Sequence, residues 1–251
     1  MRSLRLSRRD TRYEARDKSD REENREARKE EGAKITSWAI VPTPAGNGRI
    51  EHMTSQPWLI VGLGNPGEQY AQTRHNVGHQ VIDVLARRAG TSLVRHRSRT
   101  HMADIRLGVL PGGNPGPRVI IAKSDSYMNT SGGPISALAK FLGVGPDQLL
   151  VIHDELDLPP HQMRLKLGGG EGGHNGLKSL SQHFGTKDYH RLRMGIGRPP
   201  GRQDAADFVL APLPVRERPD WEVFYEEAAD VVEEVVTVGF SEAQQRLHSR
   251  T

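Results

Sequence analysis

Three short aliphatic runs, WLIVGL at 58–63, PRVIIAK at 117–123 and LLVIHDE at 149–155, constrain this fold more than any other feature of the chain. They do not alternate polar with apolar residues, so they read as strands buried on both faces. VIDVLARRAG at 81–90, ISALAKFLG at 135–143, GLKSLSQHF at 176–184 and the stretch from Val215 to Val238 carry helical spacing, with Gly90 and Gly143 placed to close two of the helices. HMADIRLGVL at 101–110 and MRLKLG at 163–168 alternate and read as flanking or edge strands. The expectation is one α/β domain with a mixed, largely parallel central sheet flanked by helices.

That domain is expected over residues 53–251. Residues 1–52 hold 13 Lys/Arg and 10 Asp/Glu with few large apolar residues, which predicts a disordered charged extension running into a Pro/Gly linker. Met53 then reads as an alternative start that would leave the extension untranslated; a basic tail touching RNA nonspecifically is the competing reading. The remaining residues carry 22 Lys/Arg against 21 Asp/Glu, so any RNA contact must come from a local patch. Absence of cysteine excludes disulfides, thiolate metal sites and a cysteine nucleophile. No apolar run reaches the roughly 20 residues of a membrane span, and a cytoplasmic protein with no membrane partner is expected.

The chemistry gathers where strands end. GLGNPG formally matches a dinucleotide fingerprint at Gly62, Gly64 and Gly67, but Pro66 interrupts it and Asp83 falls within a helical pattern rather than at a strand end. The glycines instead suit a sharp turn presenting Asn65 and, further on, His75 to a crevice, although an exposed histidine at a helix start is common. LLVIHDELDLPP ends a buried strand in His153, Asp154, Glu155 and Asp157. Such carboxylates could bind a divalent metal with a histidine, orient a catalytic imidazole, or simply form a solvated turn. LGGGEGGHNGLKS is a glycine loop able to approach a ligand closely; Leu177 between Gly176 and Lys178 rules out a Walker loop, and Asn175 stands where it could cap the next helix. In KSDSYMNTSGG, an exposed Tyr127 and Met128 beside Asn129 suit a nucleobase or ribose, core packing accounts equally for Tyr127 and Met128 but not for Asn129, and Thr130 or Ser131 could cap the following helix.

GLGNPG, TRHN, SYMNTSG, HDELDLPP, GGGEGGHNGLKS and RLRMGIGRP together, in this order and spacing, resemble the bacterial peptidyl-tRNA hydrolase family from about Trp58 to Arg246. The resemblance implies hydrolysis of the ester between a peptide and the 3′ end of tRNA, returning tRNA to translation and serving ribosome rescue, by a monomer that needs no cofactor and no metal. It places the catalytic histidine on His75, its supporting aspartate on Asp154 and substrate-positioning asparagines on Asn65, Asn129 and Asn175. Further substrate contacts fall on Tyr70, Asn76, Tyr127, Met128 and His174, and a pair gripping the tRNA 5′-phosphate falls on Lys166 and Arg193. Tyr127 stands where the family often has phenylalanine, which keeps the aromatic face. A metal-dependent amidohydrolase and a nucleotide-binding module without chemistry are the alternatives that the residues alone leave open.

Overall fold

The structure, a computed structural model, describes residues 57–250, which leaves the expected extension at 1–52 outside the described residues. β1 (Trp58–Gly62) is followed by a single turn, α1 (Glu68–Ala71), a 3-10 turn at Arg74–Asn76 and α2 (Val77–Arg88). β2 (Val94–His96), β3 (Thr100–Arg106), a small hairpin of β4 (Val109–Leu110) and β5 (Asn114–Pro115), and β6 (Arg118–Ser124) come next. A 3-10 turn at Met128–Thr130, α3 (Gly132–Leu142), β7 (Leu149–Glu155), β8 (Met163–Leu167), α4 (Asn175–Phe184) and β9 (His190–Gly195) complete the sheet layers. The chain ends in α5 (Ala205–Leu210), α6 (Arg218–Val238) and α7 (Phe240–Ser249).

The main sheet has seven strands in the order β2-β3-β6-β1-β7-β9-β8. The central four are parallel, while β3 pairs antiparallel with β6, β2 with β3 and β8 with β9. This is the mixed, largely parallel α/β sheet expected. Its faces bury separate cores: Ile60, Ile121, Leu150 and Ile152 pack toward α2, α6 and α7, whereas Leu59, Val61, Ile120 and Val151 pack toward α3 and α4. Alternate residues of β1, β6 and β7 thus enter different cores, which is why the middles of those three strands lack polar positions.

Two readings need correction, and one strand went unread. HMADIRLGVL is not one strand, because Gly108 turns the chain at φ +74° and hands Val109–Leu110 to the small hairpin. RLRMG is an interior strand hidden by its arginines: Leu192 and Met194 are buried on one face while Arg191 and Arg193 occupy the other. The helix read from Val215 starts at Arg218 after a 3-10 turn, with Pro219 in its first turn, and a further helix follows Gly239. Gly143 closes α3 at φ +68° and Gly90 closes α2 at φ +62°, as read, the latter with Gly90 N–H donating to Arg87 and Thr91 N–H to Ala86 at 3.0 Å.

Candidate active site

The glycines around β1 bring the first turn of α2 onto the strand ends. A Cβ on Gly62 would lie 2.1 Å from the Gly78 carbonyl oxygen, and one on Gly78 would lie 2.4 Å from that of Ile152. Only glycine allows this approach, and it seats the Arg74–Asn76 turn over the end of β7. His75 thereby reaches Asp154 across 79 residues, its Nδ1 lying 2.9 and 3.0 Å from the two carboxylate oxygens. Asp83, the residue a dinucleotide site would need at a strand end, is instead held by Lys123 at 2.6 and 2.7 Å.

Asp154 is buried and accepts a second imidazole, His174 Nε2, at 2.9 Å. The other nitrogen of His174 accepts the backbone N–H groups of Gly176 and Leu177 at 3.1 and 3.3 Å, which caps α4. That cap corrects the reading of Asn175, which is the first residue inside the helix. An Nδ1 that accepts leaves the proton on Nε2, so His174 donates to Asp154. His75 Nδ1–H donates to the same ionised carboxylate, and the His75 Nε2 keeps its lone pair. Burial presses the His75 pKa down, but the Asp154 charge and hydrogen bond outweigh it and leave the pKa above its ordinary value. Asp154 opposes its own burial through both histidines and is held far below the usual carboxylate range.

The ligand atoms of His75, Asp154 and His174 lie within 4.8 Å of one another, a span that a metal ion could bridge. Ligation would first have to strip the proton from His174 Nε2 and break its bond to Asp154. The donor set therefore suits an oriented imidazole better than a metal centre.

Asn65 is clamped from two directions. Its backbone exchanges 2.9 Å hydrogen bonds with the Asn76 side-chain amide in both directions, and its Oδ1 accepts Met128 N–H at 2.8 Å. A backbone donor on Oδ1 fixes which end of the amide is nitrogen, and no hydrogen bond among the described residues engages Asn65 Nδ2. Asn76 is itself buried, so its amide positions Asn65. Neither Thr130 nor Ser131 caps α3 with its side chain; Ser179 Oγ, from the neighbouring α4, accepts the Gly132 N–H at 3.0 Å.

His75, Asp154, His174, Asn65, Met128, Asn129 and Asn175 line one cavity of about 370 Å³. Met128 is buried within the core, so the packing reading of it holds and that of an exposed methionine does not. Tyr70 and Tyr127 stand outside the cavity as an edge-to-face pair with centroids 6.3 Å apart, and Tyr127 is 57% exposed. The far wall, Ala205, Ala206, Val209 and Leu210 of α5, was not read from sequence. Asp204, whose carboxylate caps α5 at 2.7 Å, was the sign available. This wall is tied to the His75 turn by Arg74 stacking 4.4 Å from the Phe208 ring and by Leu213 N–H donating to Gln72 at 2.7 Å.

The acidic run separates into distinct roles. Glu155 accepts from Arg193 Nε at 2.9 Å, and Asp157 from Arg198 Nε at 3.0 Å. Register places Lys166 opposite Arg191 and Arg164 opposite Arg193, so Lys166 and Arg193 share one face of the outer strands. Arg191 is buried and donates to the carbonyls of Gly169 and Gly170 at 2.8 and 2.7 Å, fixing the glycine loop.

The family model described as peptidyl-tRNA hydrolase matches residues 59–251. A peptidyl-tRNA hydrolase of Kineococcus radiotolerans is 57% identical over 195 residues, covering 78% of this chain and 98% of the relative. One from Nocardia farcinica is 54% identical over 193 residues, covering 76% of this chain and 96% of the relative. The crystal structure of peptidyl-tRNA hydrolase from Acinetobacter baumannii superposes with a TM-score of 0.68 at 36% identity, over 77% of this chain and 95% of that one. By sequence and by fold, this chain belongs to the peptidyl-tRNA hydrolase family.

Proposed function

We propose that the chain hydrolyses the ester joining a peptide, or an N-blocked amino acid, to the 3′ end of tRNA, with His75 as general base. The observation that carries this reading is the fixed tautomer: Asp154 accepts the Nδ1–H hydrogen bond, which keeps the proton on Nδ1 and leaves Nε2 able to accept one from water. The activated water attacks the ester carbonyl, the carbonyl oxygen becomes an oxyanion, and collapse expels the ribose oxygen, which regains a proton from His75 imidazolium. Asp154 stabilises that imidazolium as it forms.

Asn65 suits the oxyanion-donor role, since its amide is locked before substrate arrives and its Nδ2 has no competing acceptor among the described residues. Losing such a donor typically costs ~3 kcal/mol of transition-state stabilisation. Asn129 and Asn175 flank the cavity and would hold the ribose and peptide ends of the ester, while the exposed face of Tyr127, paired with Tyr70, offers a surface for the terminal base. His174 acts through Asp154 as a positioning residue, and Lys166 with Arg193 would meet a phosphate further along the tRNA. The active unit is read as a monomer in the cytoplasm, because one chain supplies every side chain of the constellation. Incubation with N-blocked and free aminoacyl-tRNA tests the proposal: release from the blocked form alone is expected, and no release from either would overturn it.

A further inference from the structure

We infer that the turn between β2 and β3 is a phosphate-binding arm for the single-stranded 3′ segment of the tRNA, an inference resting on the substrate reading above. β3 runs antiparallel to β6 with Thr100 opposite Ser124, so the turn preceding β3 lies at the same end of the sheet as His75 and Asp154. Arg95, Arg97 and Arg99 are all exposed there. The turn is tied to the substrate loop: Asp125, two residues before Tyr127, donates its N–H to the Arg99 carbonyl at 2.9 Å and pairs with Arg95 at 3.4 Å.

Three further observations point to a nucleic-acid strand. Arg99 sits at φ +60°, a left-handed conformation that glycine would hold without steric cost, so this turn carries an arginine against backbone preference. Arg97 lies 4.8 Å from the Phe141 ring, which is 55% exposed and also stacks on His96 at 4.7 Å, giving cations interleaved with an aromatic face. A second cavity of about 230 Å³ runs from Asn65 and Pro66 to Lys123, His101 and Asp125, linking the active-site asparagine to the arm. Around this path, Arg95, Arg97, Arg99 and Lys123 face two carboxylates, Asp83 and Asp125, which leaves positive charge to spare.

The arm, beside β2 and β3 at one edge of the sheet, differs from Lys166 and Arg193, which lie on β8 and β9 at the other. It meets nucleotides adjoining the ester, so it acts even when the tRNA body is missing. The test replaces Arg95, Arg97 and Arg99 by Gln together, with N-acetylaminoacyl-tRNA and a short 3′-terminal oligoribonucleotide carrying the same ester as substrates. Wild-type turnover is measured first; its absence would sink the substrate reading and the arm with it. Given turnover, KM should rise about tenfold on both substrates at unchanged kcat. The slope of log KM against log salt should shrink by about 2, for three phosphates on a single strand. The corresponding triple Lys variant should recover most of the loss. Unchanged KM on both substrates, a loss confined to full-length tRNA, or failure of the Lys variant at a normal Tm would each overturn the arm while leaving the activity in place.

Discussion

His174 donates to Asp154 through a 2.9 Å hydrogen bond whose direction is forced, because the other nitrogen of the ring accepts two backbone N–H groups at the start of α4. One imidazole therefore both caps α4 and holds the carboxylate that His75 meets. The carboxylate that orients His75 is itself oriented by the helix that follows the glycine loop.

Asp154→Asn removes the charge that raises the His75 pKa against burial. The base works when neutral, so wild-type kcat/KM should rise with pH through an inflection above 6.5, the ordinary histidine value. In the variant, burial is unopposed and the inflection should fall below 6.5, with kcat reduced less than by loss of the imidazole. An unmoved inflection in the pH–rate profile would separate Asp154 from the base.

His79 and His153 are buried, and burial foremost lowers each pKa to about 3. Between that value and 6.5 the unfolded chain binds protons that the folded one refuses, so stability is full above 6.5 and is lost as pH falls through this window. Each imidazole should cost about 2 kcal/mol between pH 7.5 and 5. Urea unfolding of His79→Phe should show a flatter dependence on pH than wild type; an equal slope would mean that His79 is not kept neutral by the fold.

The central strands were legible because they are buried on both faces and carry no polar residue until they end in chemistry. β9 was not, because Arg191 and Arg193 are spent on the glycine loop and on Glu155, and charged residues masked an interior strand. The polar residues lining the cavity were legible as motifs, whereas the apolar wall on α5 and the partners of His174 and Asn76 were not. Nothing in the spacing says that His174, rather than Asn175, caps α4, or that the Asn76 amide is committed to the backbone of Asn65. The Asn76 clamp is a tertiary fact, set by how closely two glycines let α2 approach β1 and β7, whereas the His174 cap is a local choice that either residue type could have filled.

Lys166→Ala should raise KM for full-length substrate, weaken its dependence on salt and spare a minimal substrate without the tRNA body. Arg193→Ala should do the same and also lower Tm, since it strips Glu155 of its 2.9 Å partner in a largely buried setting. Steady-state kinetics on both substrates with thermal melts checks this. Equal losses on the two substrates would place the pair in the chemical step.

Residues 1–52 are proposed to be dispensable, because a dense mixture of 13 basic and 10 acidic residues offers little apolar surface to dock. A chain beginning at Met53 should match the full chain in Tm, and in kcat/KM at about 150 mM salt, where exposed charges are screened beyond about 8 Å. A drop in Tm of several degrees would show that the segment packs on the domain.

The most direct test of the central claim is kcat for release of an N-blocked amino acid from tRNA by His75→Ala. Loss of an oriented general base should lower kcat by roughly 10²–10⁴-fold, with Tm lowered only modestly, because Asp154 keeps its hydrogen bond to His174 and His75 sits at the cavity wall outside both hydrophobic cores. A kcat near that of wild type, in a variant that melts normally, would contradict the account.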